Sequence, residues 1–325
     1  MNAAIIGCSV MGRWHAAELT RCGVRVCACG DADAALAKSL GEAYGATAST
    51  DCEALLRQDE VDIVVIATPT PTHAAYVTAA AKAGKHIFCE KPFTRTLQEA
   101  KVALAAVRKA GVKLFVGHVV RYFQEFETMR AEIAAGAIGT PGFARLYRGG
   151  AFPGGAGGWF RNYEASGGVT LDCMIHDLDW LRYVFGEPES IFCQALLRSE
   201  PMPMDYSQVT MRMRSGLLAN VIGSWAHPSG FRVRAEVAGS TGLLQFDSRE
   251  APLEVMPRAS DNGGGGAIVP ASPMHKSPYQ LEWEDFLCWL REDRAPRVQP
   301  EDAVRALEMA LAALKSAATG KPVTL

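Results

Sequence analysis

The sequence has no apolar run near the ~20 residues that a membrane-spanning helix needs, so no membrane partner is expected. It also lacks a block of like charge. Its 33 Lys and Arg balance 35 Asp and Glu, for a net charge of −2. A nucleic-acid partner calls for a basic stripe, so none is expected. No CxxC and no Cys/His spacing suited to zinc occurs. The nine cysteines are an odd number at irregular spacing, with Cys27 and Cys29 the close pair. Reduced, mostly buried thiols, no metal and a cytoplasmic setting are predicted. No basic region precedes the short apolar run Ala3–Ile6, which meets glycine at once, so a signal peptide is not expected. Internal repeats are absent too.

What is present suggests two domains, since 325 residues exceed the usual size of one. Up to about residue 118, short β-branched runs alternate with helical patterns. Strands are predicted at Ala3–Ile6, Val24–Cys29, Asp62–Ala67, His86–Cys89 and Lys113–Val116. Helices are predicted near Gly12–Cys22, Ala34–Tyr44, Cys52–Arg57, His73–Ala83 and Leu97–Ala110. Continuously apolar strands such as Ile63–Ala67 suit a parallel sheet covered on both faces, in a doubly wound α/β domain.

The pattern then changes. A helix is expected at Phe123–Ala135, a glycine-rich stretch at Gly149–Gly158, and one long amphipathic segment at Gly167–Phe185. Strands at Ile191–Leu197, Val209–Met213, Leu217–Trp225, Val233–Val237 and Leu243–Phe246 follow without helices between them. That implies a mostly antiparallel sheet with helices on one face. A loop at Ala259–Lys276, with Gly263–Gly266, reads as mobile or ligand-facing, and closing helices are expected at Tyr279–Arg291 and Pro300–Ala318. The Ala/Leu stripe of Ala303–Leu314 reads as core.

Gly7-Cys8-Ser9-Val10-Met11-Gly12 follows the first strand and opens the first helix. Backbone amides at such a turn can receive a pyrophosphate. Ser9 replaces the usual middle glycine, and alone a turn of this kind serves equally as a tight strand–helix connection. Asp31, 19 residues after Gly12, ends the second predicted strand. A carboxylate there accepts from adenosine ribose hydroxyls and repels a 2′-phosphate, and no basic residue follows until Lys38. NAD rather than NADP is the expected cofactor. Asp31 as a plain turn residue, with Asp33 nearby, is the alternative.

Further motifs are Ala67-Thr68-Pro69-Thr70-Pro71-Thr72-His73, Glu90-Lys91-Pro92, and the segment from Gly167-Gly168 through Asp172 to His176-Asp177. Gly239-Ser240-Thr241-Gly242 and a closing helix with Ser316, Gly320 and Val323 complete the set. Together they resemble the family of glucose–fructose oxidoreductase, inositol dehydrogenase and the rhizopine-catabolism protein MocA, over nearly the whole chain. The resemblance implies an N-terminal Rossmann doubly wound parallel sheet (1–119) for dinucleotide binding. It implies a C-terminal α/β domain (120–325) with a large open, mostly antiparallel sheet for substrate binding and oligomerisation, as a homodimer or homotetramer. Lys91, Asp172 and His176 take the catalytic positions and are expected to converge on one cleft. Gly7, Ser9, Val10, Met11, Gly12, Asp31, Thr68, Pro69, Thr70, His73, Glu90 and Lys91 take the cofactor positions. The chain departs from the family pattern at Ser9 and at Val120, where a second arginine often precedes Arg121.

The residue types suit the chemistry. Asp172 and His176 lie four apart on a predicted helix and so share a face. Oxidising an alcohol needs a base for its proton, and an imidazole oriented by a carboxylate serves. Lys91, at the C-terminal end of a parallel strand, can stabilise a developing alkoxide. The bland readings are a surface ion pair and a loop lysine. Weaker substrate-binding candidates are Arg121, Trp159, Arg161 and Tyr279. Arg121 serves equally to pair with a carboxylate, and Trp159 to fill a core. His118, His227 and His275 have no evident role. The expected activity is NAD-dependent oxidation of a secondary alcohol on a small polyhydroxylated substrate, a sugar, sugar derivative or cyclitol. Alternatives are a redox-cycling glycosidase, or a non-enzymatic dinucleotide- or sugar-sensing regulator, which needs no proton relay.

Overall fold

The structure, a computed structural model, describes residues 1–198, 204–249 and 276–325. Of the loop expected at Ala259–Lys276, residues 259–275 lie outside them. The chain forms two compact units, Met1–Val119 with Lys276–Val304, and Val120–His275 with Arg305–Leu325. In chain order the elements are β1 (Asn2–Ile6), α1 (Val10–Arg21), β2 (Arg25–Gly30), α2 (Ala34–Tyr44), β3 (Thr47–Ser49), α3 (Cys52–Leu56), β4 (Ile63–Ile66), α4 (His73–Lys82), β5 (His86–Glu90), α5 (Leu97–Ala110) and β6 (Leu114–Gly117). Then come α6 (Gln124–Ala134), β7 (Pro141–Gly150), α7 (Tyr163–Ser166), α8 (Gly168–Asp172), α9 (Ile175–Phe185), β8 (Pro188–Arg198), β9 (Met204–Met213), β10 (Leu218–Ser224), β11 (Phe231–Gly239), β12 (Leu243–Asp247), α10 (Pro278–Glu292), α11 (Pro300–Thr319) and β13 (Val323–Thr324).

The first unit holds a six-stranded, wholly parallel sheet in the order β3-β2-β1-β4-β5-β6. Strand order reverses between β1 and β4, which is the switch point where such sheets bind ligands. All four residues of β4 are fully buried, as a strand covered on both faces requires. Side chains set the helix ends. Asp33 caps α2 by accepting from Ala35 N at 2.8 Å, and Gly45 closes it in the left-handed conformation. Thr96 and Glu99 form a reciprocal capping box on α5.

The second unit's sheet runs β12-β11-β7-β10-β9-β8-β13. It is antiparallel except for β7 and β10, which run parallel. The sequence reading missed β7 and, in the first unit, the short β3. On β7, Ala144, Leu146 and Arg148 are buried while Arg145 is exposed. An arginine at an inward position hides the alternation. Arg148 is tolerated because both arms of its guanidinium donate to Asp177 on α9, at 2.9 and 2.8 Å. On the opposite face Leu196, Tyr206, Leu218 and Leu243 are exposed on successive parts of the sheet.

The expected single helix over Gly167–Phe185 is instead α8 and α9, joined through Cys173 and Met174. Both of their amides reach Val169 O, at 3.1 and 3.0 Å, so the turn there is one residue wider than α-helical. Met174 explains its position: a Cβ on Gly223 of β10 would come within 2.4 Å of the Met174 Cγ, so only glycine leaves it room.

Arg148→Met leaves Asp177 buried without its partner and is expected to cost roughly 3–5 kcal/mol of stability, read by chemical denaturation. A loss below about 1 kcal/mol would contradict an anchoring role for this pair.

Candidate functional site

The turn after β1 is built by close approach. Gly7 has φ +94°, and a Cβ there would lie 2.5 Å from Ala67 O at the end of β4. A Cβ on Gly12 would fall 1.9 Å from Gly7 O. Both positions therefore require glycine. Ser9 does not: its φ is −82°, and its Oγ caps α1 by accepting from Val10 N at 2.7 Å. Replacing the middle glycine thus adds a cap and no strain. Arg13 N is the amide that bonds Ser9 O, at 3.0 Å, so those of Val10, Met11 and Gly12 precede the helical ladder. This is the positive end of a twelve-residue helix. The turn fits a pyrophosphate.

Asp31 follows β2 and accepts from Cys8 N at 2.7 Å and from Asp33 N at 2.9 Å. One carboxylate braces the glycine turn, and its two oxygens keep lone pairs for ribose hydroxyls. Asp33, the alternative raised by the sequence, is spent as the α2 cap.

His73, at the start of α4, is 1% exposed and lies between two carbonyls, Thr68 O at 2.8 Å and Pro92 O at 2.9 Å. Burial lowers its proton affinity, against the two carbonyls and Glu90, which raise it. It ties the Thr68–Thr70 loop to the Glu90-Lys91-Pro92 segment and sits behind them. Thr72 Oγ1 adds a bond to Thr68 Oγ1 at 2.7 Å. Lys91 itself is half-buried at the end of β5.

In the second unit, Asp172 is the last residue of α8 and His176 the second of α9, both half-buried. Their spacing crosses the widened turn, so the single-helix argument that paired them is corrected. Their setting is fixed at both ends. Asp205 on β9 is fully buried, accepts from Val169 N at 3.0 Å, and takes the Tyr163 hydroxyl on its other oxygen. That holds the start of α8, where Gly167 and Gly168 both have positive φ. Asp177, bound to Arg148, holds the start of α9. In the His176-Asp177 motif the aspartate is the anchor.

The weaker candidates divide. Arg121 is 2% exposed and grips Asp179 with two bonds, at 2.7 and 2.6 Å, its guanidinium 4.4 Å from the Tyr183 ring. That is the pairing alternative the sequence offered. Tyr279 packs against Trp14 in the first unit, with centroids 5.5 Å apart. Trp159 stacks on Phe160 at 4.1 Å, and the exposed Arg161 borders a cavity of about 310 Å³ lined by Phe152–Gly154 and Gly157–Gly158. Among the described residues no cluster of His, Cys, Asp or Glu would hold a metal, and no helix is long and apolar enough to cross a membrane. None of the nine cysteines forms a disulfide, and seven of them are buried.

A parallel sheet in this order, with a glycine turn at its first helix and an acidic residue after its second strand, defines a dinucleotide-binding domain. The comparisons specify it further. Residues 1–118 match the model of an oxidoreductase family with an NAD-binding Rossmann fold, and 126–245 match the GFO/IDH/MocA C-terminal domain. The chain is 31% identical to scyllo-inositol 2-dehydrogenase (NAD(+)) of Bacillus subtilis, over all of this chain and 96% of the relative. It is 32% identical to 1,5-anhydro-D-fructose reductase of Ensifer adhaerens, over 84% and 82% of the two chains. Among solved structures, GenD2 from gentamicin A biosynthesis, in complex with NAD, superposes with a TM-score of 0.89 at 25% identity, over 100% and 96% of the chains. The chain belongs to the GFO/IDH/MocA family and is an NAD-dependent oxidoreductase.

Because Asp31 would meet a 2′-phosphate with like charge, NAD should exceed NADP in kcat/KM by at least about tenfold. Replacing Asp31 by Ser and Ala32 by Arg should narrow or reverse that ratio. Equal use of both cofactors by the unmodified enzyme would remove Asp31 from the ribose site.

Proposed function

We propose that the enzyme oxidises a secondary alcohol of a sugar, a sugar derivative or a cyclitol. The observation that carries this reading is the presence of Lys91, Asp172 and His176 on strand and helix ends that buried, hydrogen-bonded carboxylates hold in place. A cyclitol is the named substrate of the Bacillus relative and an anhydro sugar that of the Ensifer relative, which supports a polyhydroxylated ring here. A dinucleotide or sugar sensor has no use for a base and an ammonium in these positions.

Bound NAD supplies the acceptor for the hydride of the alcohol carbon. The Gly7–Gly12 turn would hold its pyrophosphate, Asp31 its adenosine ribose, and Thr68–Thr70 with the Glu90–Lys91 segment the remainder. The protein's own part is proton and charge. His176 takes the hydroxyl proton as general base, and Asp172 orients it and accepts from a neighbouring hydroxyl. The Lys91 ammonium stabilises the negative charge that grows on the same oxygen, and in reverse polarises the ketone. The exposed Leu196, Tyr206, Leu218 and Leu243 favour self-association through the open sheet face as a homodimer or homotetramer. A monomer by light scattering contradicts that part.

NADH formation at 340 nm, screened over cyclitols and aldoses, should find at least one substrate. With it, His176→Ala should lower kcat by roughly 10²–10⁴ and leave NADH binding nearly unchanged. The acid limb of the pH profile should vanish in that variant, because the limb reports the base losing its proton as pH rises. Normal turnover with the limb intact moves the base role elsewhere.

A further inference from the structure

Three residues from distant parts of the sequence form a buried polar chain in the first unit. Trp283 on α10 donates its indole N–H to His15 Nδ1 at 3.1 Å. His15 on α1 faces Glu90 Oε1 through Nε2 at 2.8 Å. Glu90 accepts from Lys91 N on its other oxygen at 3.1 Å. His15 and Trp283 are fully buried and Glu90 is 7% exposed. The Trp283 ring lies flat on Phe88 of β5, with centroids 4.2 Å apart, so the indole is held in one orientation.

The chemistry of the chain is directional. An indole N–H can only donate, so His15 Nδ1 is an acceptor and carries no proton. The imidazole proton is therefore on Nε2, aimed at Glu90. A neutral histidine of the other tautomer would present a lone pair to a carboxylate. Trp283 thus selects the form of His15 that binds an ionised Glu90.

We propose that Trp283 and His15 are positioning residues for catalysis, locking the Glu90 carboxylate against the strand end that carries Lys91 and so keeping Lys91 an ammonium. This rests on the reading of Lys91 as the charge that stabilises the alkoxide. The surroundings agree with it. Burial opposes ionisation of Glu90, but the His15 hydrogen bond and the positive charge of Lys91 outweigh it and hold the carboxyl below its ordinary range. The attraction is mutual, so the Glu90 charge raises the proton affinity of Lys91. Other titratable groups around this end of the sheet include Cys89 on β5, His118 next to Gly117 on β6, and Tyr279, Glu282 and Asp285 on α10. Glu282 is fully buried with neither oxygen hydrogen-bonded among the described residues. Burial, then Glu90 and Asp285, push its proton affinity well up, which favours its neutral form beside an ionised Glu90.

Two measurements test the chain. In the unmodified protein, nitrogen NMR of labelled histidine should find the His15 proton on Nε2 and Nδ1 bare. An imidazolium or an Nδ1-protonated ring overturns the proposal. In kinetics, Glu90→Gln removes the charge beside Lys91, so the basic limb of kcat/KM should move to lower pH by about one unit. His15→Leu should lower kcat with KM for NAD nearly unchanged, and His15→Gln, whose amide restores a donor, should recover most of that loss. A basic limb that vanishes in Lys91→Met but stays in place in Glu90→Gln overturns the positioning claim alone. A limb retained in Lys91→Met overturns the role of Lys91 and this inference with it.

Discussion

A carboxylate taken out of water has to find a cation or several N–H donors, and here that requirement falls on residues next to those proposed to do chemistry. Asp177, beside His176, is bound by Arg148. Asp205 receives the first turn of the helix that ends in Asp172. Glu90, beside Lys91, is bound by His15. Asp31 receives the Cys8 amide of the glycine turn. At Asp177 and Glu90 the buried group fixes the backbone and its chain neighbour is half-buried, whereas Asp31 is itself half-buried and braces the turn directly. The anchors lie across strands or between helix and sheet, so their position is set by tertiary packing and not by the loop they sit on.

This arrangement explains why the functional motifs come as adjacent pairs. His176-Asp177 joins a residue proposed to react to an anchor, and so does Glu90-Lys91. The Ala67–His73 stretch follows the same logic over a longer span. Thr68 to Thr70 line the loop, while His73 is buried behind them and ties that loop to Pro92. A substitution at an anchor would shift the neighbouring group without touching it.

Much of this was legible in the sequence. The helices Ala34–Tyr44 and Leu97–Ala110 emerge with their expected ends because their caps, Asp33, Gly45, Thr96 and Gly111, are local signals. The parallel sheet follows from runs as apolar as Ile63–Ile66. β7 was hidden because an inward Arg148 breaks its alternation, and its partner Asp177 lies 29 residues on. The break between α8 and α9 depends on Met174 seating against Gly223, which no local pattern announces. His15 and Trp283 are 268 residues apart, so their hydrogen bond has no sequence signature at all. Local chemistry was readable, and long-range anchoring was not.

The central claim is that Lys91 and His176 work on the same oxygen, one on its charge and the other on its proton. A double-mutant cycle on kcat measures that coupling directly, with Lys91→Met, His176→Ala and the two combined. Residues acting as a unit are strongly non-additive. The account predicts that the double variant turns over about as fast as the slower single variant. If the two losses instead multiply in full, the residues act independently, and the shared role assigned to them is wrong.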